Sequence, residues 1–286
     1  MPSFRDIAGV LRRQSLALVV LGVALIGAGM VVICPEQISL PYLPPSHNTV
    51  RLVRDDYDRS AYMARGSFVV IAGARPYRDV FSEYPQLATY LFAVPYGHVL
   101  VHRQNKDTYL AVFSAMMALS LGALAFVWLA LAGEVGVREK RVLFLLLPGM
   151  LYFTLNRFDV VPELLAVSSL YLLVRKRATL AHAVLALGVL TKAYPLIYLP
   201  LFAIESWRQG GVRKAAMGLG TFAAVILAFS AQLVFWAGPT AIIAPFAYQL
   251  GKAGNEESLY EFLCWLMPWL AKAIGQIGRA SCRERV

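Results

Sequence analysis

Long runs without a charged side chain constrain the fold of this chain more than any other feature. Residues 15–34 contain none over about 20 positions, the length that an α-helix needs to cross a bilayer. Residues 108–133 form a second such run. In the whole chain 58% of residues are hydrophobic and 15% are charged, whereas a soluble domain has about 25% charged residues. We therefore predict an all-α, multi-pass integral membrane protein.

The basic clusters predict how the chain is oriented. Its formal net charge is +10, and excess Lys and Arg of a membrane protein usually lie in cytoplasmic loops, so the charge does not indicate nucleic-acid binding. Arg12 and Arg13 precede the first run, which predicts a cytoplasmic N-terminus. The clusters VREKR (137–141), RKR (175–177) and WRQGGVRK (207–214) are predicted on the same side. A cleaved signal peptide is the alternative for the first run, but VVICPEQ lacks an A-x-A pattern.

With the basic clusters inside, four polar motifs fall on the extracytoplasmic side. They are RDDYDRS (54–60), NRFD (156–159), TKAYP (191–195) and GNEES (254–258). The apolar runs around NRFD and TKAYP are shorter than a full span, so their polar ends are predicted to line a cavity within the membrane. Charge at that depth costs roughly 2.5–3.5 kcal/mol and therefore suggests a functional site.

The first extracytoplasmic loop is predicted to cover about 35–107. Within it, YLFAVPYGHVLVH (90–102) is short and contains Pro95 and Gly97, so we expect an interfacial or re-entrant segment rather than a span.

Four motifs, taken in order, resemble glycosyltransferase family 87 of the GT-C class. They are D-x-x-x-Y at 58–62, G-x-x-P-Y-R-D-x-x-x-E-Y-P at 73–85, N-R-F-D-x-x-P at 156–162 and K-x-Y-P at 192–195. GNEESLYEFL resembles a later family segment, although Lys252 stands where an Arg is usual, and EYPQ replaces the common EYPP. The resemblance implies a GT-C helix bundle in a bacterial-type plasma membrane. It also implies inverting transfer of a sugar, mannose in many relatives, from a polyprenyl phosphate to an extracytoplasmic lipid or glycan acceptor.

The resemblance, together with the chemistry of the side chains, suggests roles for individual residues. Asp58 is the candidate general base, Asp56 the second choice and Asp55 the third. Arg157 and Lys192 are candidates for binding the donor phosphate, with Asp159 orienting Arg157. The residues expected to shape the substrate site are Tyr62, Glu83, Tyr84, Tyr194 and Glu257. No cofactor is required by this mechanism, although the outer carboxylates could hold a divalent cation.

Other interpretations stay open at the level of sequence. Arg157 could simply pair with Asp159 or Glu163 to cap a helix hairpin. The whole chain could be a transporter or flippase, because such proteins also use short helices and charges at membrane depth. A non-catalytic membrane assembly protein is a further alternative. Residues 1–277 are expected to form one GT-C-like domain that is C-terminally truncated, with the polar stretch 278–286 as a non-native tail. A chain lacking late helices would be inactive.

Overall fold

The computed structural model describes residues 4–34, 38–39, 49–50, 53–102 and 106–251, and these residues are mostly helical. The first half contains α1 (Phe4–Ile33), α2 (Asp56–Ile71), α3 (Gln86–His102) and α4 (Lys106–Val135). Between α1 and α2, two-residue strands β1 (Ile38–Ser39) and β2 (Thr49–Val50) pair antiparallel.

The second half begins with a 3₁₀ helix, Glu139–Leu146. It is followed by α5 (Pro148–Asn156), α6 (Val160–Val174), α7 (Ala178–Thr191), a second 3₁₀ helix (Tyr194–Tyr198), α8 (Leu199–Ala237) and α9 (Thr240–Gly251). Within the described part of the chain, three helical segments are long and apolar enough to cross a membrane: Gly9–Ile33, Lys106–Val135 and Tyr194–Ala237. The predicted helical class is thus confirmed, and the apolar helices are compatible with a membrane protein.

Helices α1 and α4 form an antiparallel pair at the centre of the molecule. The buried face of α1 recurs every three or four residues and is built from Ala17, Val20, Ala24, Ala28 and Val31. Gly122 of α4 lets the helices approach closely, because a Cβ there would lie 2.7 Å from the side chain of Leu21. Arg13 near the start of α1 donates to Glu139 just beyond α4, at 2.5 Å. Two membrane-length helices therefore share one packed interface.

The long apolar helix α8 consists of two antiparallel segments joined at Gly210 and Gly211. Gly211 has φ +68°, a conformation that favours glycine, and both residues leave helical geometry. The chain turns back here: the His182 ring contacts Phe202, before the break, at 5.6 Å between centroids. After the break, a Cβ on Gly218 would lie 2.6 Å from the same ring. The 44-residue apolar stretch is therefore a helical hairpin with WRQGGVRK at its turn.

The basic clusters lie together at one end of the bundle. Arg175, after α6, pairs with Glu134 at the end of α4, with 2.7 Å between Nη1 and Oε1. On the other side of the same turn, Lys214 donates to the carbonyl of Lys176 at 3.2 Å. Residues 134–141, 175–177 and 208–214 therefore share this surface, which we call the basic end.

The polar motifs lie together at the opposite end, as the charge pattern predicts. Arg157 pairs with Asp58, and Lys192 with Asp159, which brings RDDYDRS, NRFD and TKAYP together. We call this surface the motif end. The fourth motif, GNEES with Glu257, lies outside the described residues. Which face of a membrane each end occupies stays a prediction.

The segment predicted to be interfacial or re-entrant belongs to a continuous helix. Residues 90–102 lie in α3, a 17-residue helix that includes Pro95. It packs along α2, where Gly66 is required because a Cβ would lie 2.3 Å from the carbonyl oxygen of Phe92. The predicted extracytoplasmic loop therefore contains a packed pair of helices rather than an extended polar segment.

We expect the two ends of the bundle to differ in accessibility in intact cells. The test uses single cysteines at Lys176, Arg208, Ser67 and Gly238 in a background in which Cys34, Cys264 and Cys282 are replaced by serine. A membrane-impermeant maleimide should label positions 67 and 238 and leave 176 and 208 protected, because basic clusters stay in the cytoplasm. Labelling of 176 together with 67 would contradict the predicted orientation. Equal labelling of 208 and 238 would contradict the placement of these two positions at opposite ends of the bundle.

Candidate functional site

Asn156, the first residue of NRFD, joins the start of α2 to the end of α5. Its side-chain nitrogen donates to the carbonyls of Val53 and Tyr152, both at 2.9 Å. Its side-chain oxygen accepts from the backbone N–H of Asp55, also at 2.9 Å. The residue is buried, so these three bonds satisfy an amide that would otherwise be costly to remove from water. Sequence reasoning quoted this residue within the motif but gave it no role.

Arg157, the second residue of the motif, reaches across to α2. Its Nε lies 2.9 Å from Oδ2 of Asp58, and the two side chains are 35% and 23% exposed. Its guanidinium also lies over the ring of Phe153, 5.1 Å from the centroid. The structure therefore brings together the predicted base and one predicted phosphate ligand. Arg157 does not form the predicted capping pair with Asp159 or Glu163.

Lys192 and Asp159 form a second, partly exposed ion pair beside the first. Lys192 follows α7, Asp159 precedes α6, and the ammonium group lies 5.3 Å from the centroid of the Phe158 ring. Asp159 thus orients Lys192, which differs from its predicted pairing with Arg157. Each residue of NRFD has a distinct contact, and both predicted cations lie at the motif end.

Tyr194 and Glu163 extend this polar surface by one turn of α6. The Tyr194 hydroxyl donates to Oε2 of Glu163 at 3.0 Å, and the tyrosine is 40% exposed. Its predicted place near the site is therefore compatible with its position in the structure.

A largely apolar cavity of about 360 Å³ lies between α4, α5 and α6 and reaches this polar surface. Its volume is within the usual range for small-molecule sites. Asp159, Glu163 and Tyr194 supply polar groups to the lining, and the other lining residues include Leu121, Leu124, Trp128, Leu145, Met150 and Phe153. Phe153 also carries the guanidinium of Arg157, so the first ion pair lies beside the same cavity.

Asp56 is a structural anchor rather than an available base. Its Oδ1 contacts Arg54 at 2.7 Å and Arg59 at 2.8 Å, and its Oδ2 contacts Lys106 at 3.0 Å. Burial raises the pKa of this carboxyl, but the hydrogen bonds from Arg54 and Lys106 and the charge of Arg59 outweigh it and bring the pKa to about 2. Such a carboxylate is a poor proton acceptor, which argues against the second-choice role assigned to Asp56.

Arg59 explains why this anchor is needed. The guanidinium has no exposed surface, and it donates to Asp56, to the carbonyl of Asp55 at 3.0 Å and to Ser114 of α4 at 3.2 Å. Ser114 in turn donates to the carbonyl of Leu155 at 3.1 Å. Sequence reasoning missed this residue, although the i,i+3 spacing of Asp56 and Arg59 on a helix was a signal for the pair.

Tyr62 belongs to the core, which corrects its predicted role in shaping the substrate site. Its ring stacks on Phe92 with centroids 4.4 Å apart and meets Phe158 edge-on at 5.5 Å. Tyr84 packs edge-on in the same cluster. Burial raises the pKa of both tyrosines, the neighbouring Tyr84 raises the pKa of Tyr62 further, and the charge of Glu83 raises the pKa of Tyr84 further, so both stay neutral at physiological pH. Both rings pack edge-on against Phe158, and neither lines the cavity.

Glu83 is bound by Arg65, whose Nη2 lies 2.8 Å from Oε2. This pair connects the turn before α3 to α2, so Glu83 supports the helix pair. For the predicted divalent-cation alternative, the described residues offer no group of three or more His, Cys, Asp or Glu side chains that could hold a metal ion. The cation alternative stays a prediction.

No protein-family model, curated protein or solved structure matches this chain. The resemblance to glycosyltransferase family 87 therefore rests on the order of its short motifs, three of which the structure brings into contact at the motif end.

Replacing Asp56 should destabilise the fold far more than replacing an exposed carboxylate. Asp56→Asn leaves Arg59 buried beside a neutral amide, and breaking a buried ion pair costs about 3–5 kcal/mol. Asp79→Asn is the matched control, because Asp79 forms an exposed pair with Arg75 and its replacement should change stability little. Thermal unfolding of both purified variants in one detergent measures the difference. Equal losses would contradict the anchor role.

Acid should weaken the same anchor. The pKa of Asp56 is about 2 in the folded chain, below its ordinary value of 3.8, so its contribution is present above pH 4 and is lost as the pH falls towards 2. The unfolding temperature of the wild-type chain should therefore fall over this interval. Asp56→Asn should fall less steeply, since it lacks the titrating group.

Proposed function

We propose that this chain is a membrane glycosyltransferase of the GT-C type. It transfers a sugar, with inversion, from a polyprenyl phosphate to a hydroxyl group of an extracytoplasmic lipid or glycan. The observation that carries the proposal is the placement of two partly exposed ion pairs, Asp58–Arg157 and Asp159–Lys192, beside one apolar cavity. Such a site offers a carboxylate, two cations and apolar walls to one amphiphilic substrate.

The two cations suit a phosphate diester. The guanidinium has four N–H donors besides the Nε that contacts Asp58, and charge-assisted bonds to phosphate are about twice as strong as neutral ones. Lys192 supplies a second, point-like charge. The apolar cavity walls match the prenyl chain of such a donor, because they bury hydrocarbon at no polar cost.

Donor binding would also change the contact between Asp58 and Arg157, and so the availability of Asp58 as a base. In the structure the carboxylate of Asp58 contacts the Arg157 guanidinium. A phosphate that binds the same guanidinium weakens this contact, so the carboxylate can turn towards the acceptor hydroxyl. Phosphate binding and base activation are thus coupled through one side chain.

The chemical step then balances without a general acid. The acceptor oxygen attacks the anomeric carbon and loses its proton to the carboxylate of Asp58. The bond between that carbon and the phosphate oxygen breaks, and its electron pair leaves with the polyprenyl phosphate. Arg157 and Lys192 stabilise the negative charge that develops on the leaving group. A phosphate is a good leaving group, so one base suffices.

Removing the carboxylate of Asp58 should abolish transfer but preserve donor binding. Asp58→Asn retains the size of the side chain and should lower turnover by about 10²–10⁴-fold, the usual effect of losing a general base. Asp79→Asn removes an exposed carboxylate from the same loop and should retain near-normal turnover. The measurement is transfer of labelled sugar from polyprenyl-phosphate mannose to membrane-lipid acceptors by the full chain. Normal transfer by Asp58→Asn would remove it as the base.

Replacing either cation should weaken binding and transfer together. Arg157→Ala and Lys192→Ala should each lower affinity for a short-chain polyprenyl phosphate roughly tenfold, the effect of losing one charge-assisted bond. Arg157→Lys should not restore a bidentate contact, whereas Lys192→Arg should be partly tolerated. Arg75→Ala, at an exposed pair, is the control. Normal affinity in both alanine variants would mean that the cations only connect helices.

The same preparation separates transfer from transport. In proteoliposomes, movement of the intact donor across the bilayer without cleavage of its sugar–phosphate bond would identify a flippase and overturn the proposal.

A further inference from the structure

The two ends of the bundle carry very different net charge. Among residues whose side chains the structure describes, those at the motif end and in α2 and its turn to α3 comprise eight cations and eight carboxylates, most of them in ion pairs. At the basic end, taken together with Arg12 and Arg13 of α1 and Glu205 of α8, the described side chains comprise eleven cations and three carboxylates. Its cations are Arg12, Arg13, Arg138, Lys140, Arg141, Arg175, Lys176, Arg177, Arg208, Arg213 and Lys214. The basic end therefore has a large unbalanced positive charge.

Some of these cations line a cavity. A cavity of about 530 Å³ lies between the start of α1, the end of α4 and the first 3₁₀ helix. Among the described residues that line it, four are cations, Arg12, Arg13, Arg138 and Lys140, and one is a carboxylate, Glu139. Glu139 contacts Arg13 at 2.5 Å and Arg12 at 3.9 Å, so these five side chains carry a net charge of +3.

Gly133 in the cavity wall leaves room for the guanidinium of Arg13. Arg13 lies flat against the end of α4, where a Cβ on Gly133 would meet its Nη1 at 2.5 Å and its Cζ at 2.7 Å. A Cβ at this position would displace the guanidinium, which is the end of a flexible side chain. The position of Arg13 therefore depends on the residue at position 133 as well as on its ion pair.

Exposed apolar side chains border the cations. Val10 and Leu11 precede Arg12, and Val135 follows the cavity-lining Gly133; each has about half or more of its surface exposed. Basic pockets next to apolar helix ends on the cytoplasmic side are the kind of site that binds anionic lipid headgroups. A soluble phosphate would use the cations but not this apolar border.

We propose that the cavity framed by Arg12, Arg13, Arg138 and Lys140 binds the phosphate headgroup of an anionic membrane lipid, whose chains lie along the exposed apolar residues of α1 and α4. The inference is independent of the proposed enzyme activity, because the cavity lies at the opposite end of the bundle from the candidate site.

The first test removes charge from the cavity and leaves the Arg13–Glu139 pair intact. The double variant R12Q/R138Q should bind dioleoylphosphatidylglycerol roughly 100-fold more weakly than the wild-type chain, since each substitution removes one charge-assisted bond to the headgroup, worth about tenfold in affinity. The matched control R177Q/R213Q removes the same charge from the same end but outside the cavity lining. Lipid occupancy of the purified full chain is read by native mass spectrometry. Equal losses in the two variants would overturn the site.

The second test keeps the charge and moves the guanidinium. Gly133→Ala displaces Arg13 and should lower phosphatidylglycerol occupancy several-fold, whereas Gly29→Ala, where a Cβ meets nothing within 4 Å, should not. Both variants must unfold at the wild-type temperature without added lipid. If Gly133→Ala unfolds early, the charge variants alone decide the outcome. Unchanged occupancy in a stable Gly133→Ala variant would overturn the site.

Two further ligands identify the source of the phosphate. Phosphatidylcholine, which has no net charge, should compete poorly with phosphatidylglycerol in the wild-type chain. Inorganic phosphate at physiological concentration should not displace the lipid. If it does, and if its binding shows the same sensitivity to R12Q/R138Q, the cavity binds a soluble phosphate and the lipid assignment is overturned.

Discussion

A guanidinium without exposed surface organises the motif end of this protein. Arg59 is buried between α2, α4 and α5, where an unpaired charge would cost several kcal/mol, so its partners are not optional. Asp56 neutralises it, and two more cations, Arg54 and Lys106, use the other positions around the same carboxylate. Ser114 continues the network to the carbonyl of Leu155 in α5. These bonds hold the start of α2 against α4 and α5. Asp58, one residue before Arg59, is presented to Arg157 as a consequence.

Each of the four residues of the NRFD motif contacts a different part of the structure. Asn156 holds the start of α2, and Phe158 fills the aromatic core beneath. Arg157 and Asp159 point to different partners, so the two cations of the site are each held by one carboxylate. Net neutrality lowers the cost of placing four charges beside an apolar cavity. An anion that binds these cations therefore competes with the two carboxylates for them.

The sequence predicted the arrangement along the bundle better than the contacts across it. The lengths of apolar runs and the signs of the intervening charges are local properties, and they correctly predicted that VREKR, RKR and WRQGGVRK share one end. Pairing depends on how each helix is rotated, which no local pattern contains. Arg157 was therefore expected near Asp159, two residues away, but it pairs with Asp58, which lies in a different helix. Arg59 was overlooked for a similar reason, because an arginine in a polar stretch resembles a solvated one.

The two ends of the molecule differ in charge balance: cations predominate at the basic end, whereas cations and carboxylates pair at the motif end. Lys and Arg side chains at the basic end raise the cost of moving that end across the bilayer, so the positive-inside rule predicts that this end stays in the cytoplasm. At the motif end the charges cancel in pairs, so a substitution that exchanges one ion pair for another leaves the insertion energetics nearly unchanged. Exchanges of one ion pair for another among Asp58, Arg157, Asp159 and Lys192 are therefore expected to leave the predicted orientation unchanged. Loss of one partner alone is different, because it leaves an unbalanced charge beside the apolar cavity.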